Sequence, residues 1–328
     1  MDPTWRALTP DDVPAATRLL AEAEEVDDTG EHNDEDDVRQ WFGMPTIDLA
    51  RDSFAAVGAD GELLALGLLM PAETAKAEDR IQLEGVVAPA VRRRGIGAEL
   101  LRRQEARAAE LHAARFPDVP GETSLATVDT VASKIALARA AGYRDIRWWN
   151  EMRRDLSAPL PDVPALPDGL RLVPFPGGDE WHERARLAHN EAFVGHFGSE
   201  ERGREFWMHW FTGAKTYQPE VSFLVLTDGD EIAAYLHTQH YPADAAATGR
   251  RTAWIGQLGT REPWRRRGLG TLLLSRALHA YREAGYDDAE LGVDTENATG
   301  ALGLYERLGF APVRRSVTSV KPVEARRG

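Results

Sequence analysis

The chain has 328 residues, no cysteine, and 53 acidic against 39 basic side chains, a formal net charge of -14. The lack of cysteine excludes disulfides, thiolate nucleophiles and cysteine-ligated metals, and the acidic balance argues against a general affinity for nucleic acid, which rests on phosphate neutralisation. The length predicts two domains, and with no apolar run near the roughly 20 residues of a membrane span and no signal-like N-terminus, a soluble cytoplasmic protein is expected.

Thr4 to Leu8 reads as a short strand. Thr9-Pro10-Asp11-Asp12 supplies an N-cap, a proline at N1 and an acid at N3, and starts a helix whose core contacts are Val13, Leu19 and Leu20. Residues 22–37 hold ten acids and no Lys or Arg, a run read as a solvated face or mobile loop, with the mouth of a site for a cationic substrate as the alternative. Ser53 to Val57 and Leu63 to Leu69 form a hairpin about Asp60-Gly61. Arg80 to Val87 is the next strand, leading into Val91-Arg92-Arg93-Arg94-Gly95-Ile96-Gly97-Ala98. Ala98, Leu101, Ala108 and Leu111 then mark a helix face, Ser124 to Val128 a strand, Val131 to Ala140 a helix stopped by Gly142, and Tyr143 to Leu156 a long strand.

Ser157 to Gly169 carries prolines at 159, 161, 164 and 167 and reads as an extended linker. The order then repeats: strand Leu170 to Val173, helices from about Asp179 to Phe193 and Glu201 to Phe211, a hairpin over Val221 to Tyr241, and strand Thr252 to Thr260. Trp264-Arg265-Arg266-Arg267-Gly268-Leu269-Gly270-Thr271 opens a helix with a Leu269, Leu272, Leu273, Ala277 and Leu278 stripe; Ala289 to Val293, Ala298 to Leu308 and Ala311 to Pro322 close as strand, helix and strand. Arg92 to Arg265, Gly95 to Gly268 and Gly97 to Gly270 are each 173 residues apart, so one unit occurs twice. Each half is predicted to be α+β, a mixed sheet flanked by helices, with domains at 1–157 and 170–328 about a linker at 158–169.

Each basic glycine turn sits where a strand meets a helix, leaving backbone N–H groups that favour a phosphate-bearing ligand. The turns lack the Gly-Lys-Ser/Thr ending of a nucleotide phosphate loop and the third glycine of a dinucleotide fingerprint. Arg-x-x-Gly-x-Gly in this setting, present twice, resembles the pyrophosphate motif of the GNAT superfamily of acyl-CoA-dependent N-acetyltransferases. The resemblance implies tandem GNAT-like domains, each with a mainly antiparallel sheet, and acetyl-CoA as cofactor. It implies pantetheine along Leu258, Gly259 and Thr260, and pyrophosphate on Arg265, Arg266, Arg267, Gly268, Leu269, Gly270 and Thr271. In the N-terminal half the corresponding residues are Val86 and Val87, then Arg92, Arg93, Arg94, Gly95, Ile96 and Gly97.

Leu291 to Asn297 and Ala301 to Phe310 resemble the C-terminal motif of the same superfamily, which implies Asn297 as a cofactor contact and Tyr305 as general acid; N-capping and helix-to-sheet packing are their bland alternatives. The N-terminal half has Thr130 and Ala138 at these places, so it reads as a catalytically degenerate copy that binds cofactor or only scaffolds. Many family members carry a glutamate fourteen residues before the first motif glycine, a position held here by Trp254. Glu191 and His196, in the segment bordering the acceptor cleft in the family, are the candidate bases. Trp207, Trp210 and Phe211 read as packing, or else as an apolar wall of the acceptor pocket. No metal site is expected, since His237 and His240 face opposite sides of a strand. The function implied is acetyl transfer from acetyl-CoA to a primary amine of a small molecule by a monomer or homodimer; a non-catalytic acyl-CoA-binding or regulatory protein is the rival.

Overall fold

The computed structural model describes residues 3–75, 77–296 and 300–323. The chain runs β1 (Thr4–Arg6), α1 (Val13–Asp27), α2 (Glu35–Phe42), α3 (Leu49–Asp52), β2 (Ser53–Val57), β3 (Leu63–Pro71), β4 (Asp79–Val87), α4 (Ile96–Arg115), β5 (Gly121–Val128), α5 (Ala132–Ala140) and β6 (Arg144–Asp155). It continues with β7 (Leu170–Pro174), α6 (Asp179–Ala192), α7 (Arg204–Trp207), β8 (Phe223–Thr227), β9 (Ile232–Gln239), α8 (Pro242–Thr248), β10 (Thr252–Thr260), α9 (Leu269–Glu283), β11 (Asp288–Asp294), α10 (Ala301–Arg307) and β12 (Ala311–Pro322). The α+β order expected from the periodicity is present twice. Helix α8 has no expected counterpart, because Pro-Ala-Asp-Ala-Ala-Ala-Thr offers no large apolar stripe to mark it. The helix expected over Glu201 to Phe211 begins only at Arg204 and passes into a π-helical turn at Met208–Thr212.

Residues 1–147 with 316–328 form one compact unit, and residues 148–315 the other. In the first, the strand order is β1-β2-β3-β4-β5-β12, antiparallel except where β4 meets β5. In the second it is β6-β11-β10-β9-β8-β7, antiparallel except where β10 meets β11. These limits differ from the expected 1–157 and 170–328. The strand that closes the first sheet is residues 316–322, paired with β5 and burying Val317 and Val320, while residues 149–155 pair with β11. An apolar-polar alternation marks a strand but does not name its partner, so sequence order misassigns these two ends. The proline-rich segment belongs to the second unit, where Leu160 and Leu166 pack on the core and His279 Nε2 donates to the Pro161 carbonyl at 2.9 Å.

The acidic run, expected as a solvated face or mobile loop, is structured, with Glu22, Glu25, Asp28, Glu31 and Asp36 exposed. Asp34 caps α2, accepting from the amides of Asp36 and Asp37, and buried Asp37 accepts in return from the Asp34 amide. Glu24 accepts from the Thr29 and Gly30 amides beyond α1. In the second unit, α9 lays Leu272, Leu273, Ala277, Leu278 and Tyr281 into the core, each burial of this kind contributing roughly 1.5–3 kcal/mol for the large side chains.

Both sheets share a gap. The parallel register runs only from Asp79↔Gly121 to Gln82↔Ser124 in the first unit, and only from Thr252↔Asp288 to Trp254↔Glu290 in the second. Beyond it β4 and β10 run on without their parallel neighbour, and β10 also bulges between Ile255 and Gln257. Each gap opens beside a basic glycine turn.

Candidate active site

In the second unit the turn alternates backbone hands: Arg266 has φ 61° and Gly268 φ 78°. A non-glycine residue in this region is uncommon, and the alternation gathers successive amides into an anion-binding nest at the start of α9. The first intrahelical bond runs from the Leu272 amide to the Gly268 carbonyl at 3.0 Å, so the amides of Gly268 to Thr271 precede it and stand at the positive end of the α9 dipole. The turn and the gap form one cavity of about 760 Å³, lined by Ile255 to Thr260 on β10, by Arg265, Arg266 and Gly268 to Thr271, and by Tyr305 on α10. The side of Leu258 to Thr260 away from β9 has no strand partner among the described residues, so its backbone is open to an extended ligand arm. An extended arm ending in a diphosphate fits this arrangement.

The structure brings most of the expected residues together. Leu258, Gly259, Thr260, Arg265, Arg266, Gly268, Leu269, Gly270, Thr271, His196 and Tyr305 all line the cavity. Arg267 does not; its guanidinium lies over the Trp264 ring, 4.7 Å from the centroid. Arg265 spends its donors on the carbonyls of Thr260 (3.2 Å) and Ala192 (2.9 Å), which ties the turn to the end of β10. Glu191 is outside the lining, its carboxylate held by Arg261 at 2.7 Å. Asn297 lies outside the described residues. Trp207 is 1% exposed and packs in the core, and Phe211 beside it lines the cavity; Trp210 does not.

Two electrostatic shifts follow from burial. The Tyr305 hydroxyl is pushed up to about 12, because a phenolate in this apolar wall would be poorly solvated. His196 is held below the ordinary histidine value, by burial first and by Arg265 second, with Asp294 acting in the opposite direction. His196 is therefore a neutral imidazole near pH 7, able to accept a proton.

The cavity also contains residues to which the sequence reading gave no role. Trp149 and Phe197 face each other across 6.4 Å, and buried Asp294 lies at the end of β11. His189, 3% exposed, reaches the cavity from α6 and binds Tyr235 of β9 through Nδ1 at 2.7 Å. Only the helical spacing of His189 from Glu191 and Phe193 in the singled-out segment hinted at it, and the Tyr235 contact is 46 residues away in sequence.

The first unit repeats the turn, with Arg93 at φ 64° and Gly95 at φ 86°, beside a smaller cavity of about 440 Å³. Val87, Arg92, Arg93, Gly95 and Gly97 line it, whereas Val86 and Ile96 are buried in the core and Arg94 bonds the Ala90 carbonyl. Arg92 repeats the tether of Arg265 through the Val87 carbonyl, but its remaining donors grip Asp27 at 2.6 and 2.8 Å. Gln104 fills part of the gap, donating to the carbonyls of Leu68 and Glu84; the residue 173 positions on is Ala277. Glu84 and Lys134 line this cavity, and burial raises the Glu84 carboxyl above its ordinary value. Ala138, at the place of Tyr305, is buried and leaves no acid there.

The sheet gap, the turn and the helix order define an acyl-CoA transferase fold, and comparison with known proteins agrees. The chain belongs to the Acetyltransferase (GNAT) family, whose model matches residues 15–123 and 182–310. It is an acetyl-CoA-dependent acetyltransferase with two such domains. A mycothiol acetyltransferase of Geodermatophilus obscurus is 30% identical over 92% of both chains. One from Beutenbergia cavernae is 38% identical over 54% of this chain and 59% of its own. Among solved structures, a GCN5-related N-acetyltransferase from Sphaerobacter thermophilus is similar at a TM-score of 0.73 and 28% identity, over 98% of this chain and 96% of that one. A tandem GNAT protein from the clavulanic acid biosynthesis pathway shares the fold at a TM-score of 0.70 and 21% identity, over 98% of both chains. Among the described residues no helix is long and apolar enough to cross a membrane.

Proposed function

We propose that the second unit transfers the acetyl group to a primary amine of a small molecule, by direct attack in a ternary complex, and that the first unit does not catalyse the reaction. The observation that carries this reading is Tyr305, a buried hydroxyl on the same cavity as the anion nest, where the first unit has Ala138. Bound acetyl-CoA supplies the thioester whose carbonyl carbon the amine attacks. The amides of Gly268 to Thr271, with Arg266, would hold its pyrophosphate, and the open edge of Leu258 to Thr260 its pantetheine. A backbone N–H of that edge would support the carbonyl oxygen as it gains charge.

His196 would take the proton that the amine gives up, and Tyr305 would hold the proton that the departing sulfur of bound acetyl-CoA needs. The buried phenol at about 12 faces a thiol whose ordinary value in water is about 8.5, a mismatch of roughly 5 kcal/mol. A sulfur held beside Tyr305 would share its poorly solvated surroundings, which would raise its own affinity for the proton and narrow the gap. Glu191 is given no part in the step, because Arg261 holds its carboxylate outside the cavity. The first unit binds acetyl-CoA more weakly, since Asp27 sets a carboxylate beside its turn and Gln104 narrows its gap.

A second reading, favoured by the mycothiol acetyltransferase relatives, is that the chain performs the acetyl transfer for which those proteins are named. Trp254, at the position where many family members carry their base, sets this chain apart. A panel of primary amines that includes the acceptor of mycothiol acetyltransferases, followed by thiol release, separates the readings. Release stimulated by amines supports transfer; acetyl-CoA binding with no amine-stimulated release would leave a binding protein instead.

A further inference from the structure

Tyr235 is 2% exposed, and its hydroxyl has one partner among the described residues, Nδ1 of His189 at 2.7 Å. A phenol hydrogen left without an acceptor at this depth is unfavourable by the desolvation of a buried donor, so the hydroxyl donates and Nδ1 accepts. A neutral ring that accepts at Nδ1 carries its hydrogen at Nε2. Burial keeps the ring neutral, lowering its pKa to about 3. The faces of the ring are covered: Phe193 stacks at 4.5 Å and Trp207 tilts against it at 5.1 Å. The buried polar atoms without partners include both ring nitrogens of His237 but not Nε2 of His189, although no bond to Nε2 is formed among the described residues. Nε2 is thus the polar edge that His189 turns to the cavity it lines. Tyr235 is itself fixed, because a Cβ on Gly259 would come within 2.3 Å of its ring. The donor is therefore set in place relative to the β10 backbone at Gly259.

Resting on the reading of this cavity as the site of amine acetylation, we propose that His189 is a specificity-determining residue. It presents a neutral, permanently oriented Nε2–H donor that receives an oxygen of the acceptor, a carbonyl or hydroxyl borne close to the reacting amine. The site then favours amino amides and amino alcohols over plain alkylamines, and His189 takes no proton during turnover.

Nitrogen-15 NMR of histidine-labelled full-length protein tests this, with the His189 signals identified from a His189→Gln sample. Hydrogen at Nε2 and a bare Nδ1 are expected, and the Nε2–H resonance shifts on adding glycinamide but not propylamine in the presence of coenzyme A. A bare Nε2, or equal response to the two amines, overturns the proposal. In kinetics, His189→Phe, which removes the Nε2–H, should raise KM for glycinamide roughly tenfold or more beyond any rise for propylamine, with a smaller change in kcat. His189→Gln, which restores an N–H near the same place, should recover much of that loss; equal losses for both amines would instead mark a packing role. The NMR arm reads the donor without turnover, so failure of all amines to react would refute the acetylation reading and leave the donor separately decided.

Discussion

Tyr305, the proposed general acid, shows what burial does to such a group: it removes competition from water and at the same time makes the phenol harder to ionise. Tyr305→Phe should lower kcat by about 10²–10⁴, the usual range for a positioned proton donor, while calorimetric affinity for acetyl-CoA stays close to that of the parent protein. An unchanged kcat across the pH range would remove Tyr305 from the mechanism. As the proposed base, His196 is expected to set the acid limb. Its value lies below that of an ordinary histidine, so kcat/KM should fall only at pH below about 6.5 through this group, and His196→Ala should erase that limb. The motif around Tyr305 was legible through the resemblance of Leu291 to Asn297 and Ala301 to Phe310 to the C-terminal motif of the superfamily. His189 was not, because its meaning lies in a hydroxyl contributed by another element.

At the scale of elements, the two turns have the same backbone and unlike surroundings. Gly268 and Gly95 both lie in the left-handed region, with no atom near the place of a Cβ, so Gly268→Ala and Gly95→Ala act through backbone strain of about 1–2 kcal/mol rather than through a clash. Calorimetry should find two acetyl-CoA sites of unequal affinity. Gly268→Ala should weaken the tighter one about tenfold, and Gly95→Ala the other. A single site abolished by Gly268→Ala would show the first turn to be empty. The repeat of 173 residues announced both turns, but the carboxylate of Asp27 against Arg92 was concealed in an acidic run with no readable partner. Arg265 and Arg92 also proved to be tethers to strand ends, a use that composition does not distinguish from phosphate binding.

For the whole molecule, the composition of the first unit is open to a direct test. Removing residues 316–328 takes away the β12 segment paired with β5 and the burial of Val317 and Val320, roughly 3–6 kcal/mol against a typical domain stability of 5–15. Hydrogen exchange should then show lost protection in residues 3–147 and retained protection in 148–315; the opposite pattern would restore a break near 158–169. The second unit should also be acid-sensitive. His189 and His237 are each lowered to about 3 by burial, so between pH 6.5 and 3 the unfolded chain binds more protons than the folded one. The stabilisation they give is complete above about 6.5 and is lost as pH falls, by up to about 1.4 kcal/mol per pH unit for each ring. Denaturant midpoints measured from pH 7 to 5 should decline, and less steeply in His237→Phe if that protein folds as the parent does.

The sequence by itself determined the α+β elements, their duplication, the placing of a basic glycine turn at each strand-to-helix junction, and the inequality of Tyr305 and Ala138. Each of these is written in local spacing, where side chains a few residues apart share a face or a turn. The tertiary structure alone decided that residues 316–322 complete the first sheet, that Glu191 is held away from the cavity by Arg261, and that Tyr235 orients His189. These depend on pairings between distant segments, and a strand pattern or a lone histidine carries no record of what it will meet once the chain has folded.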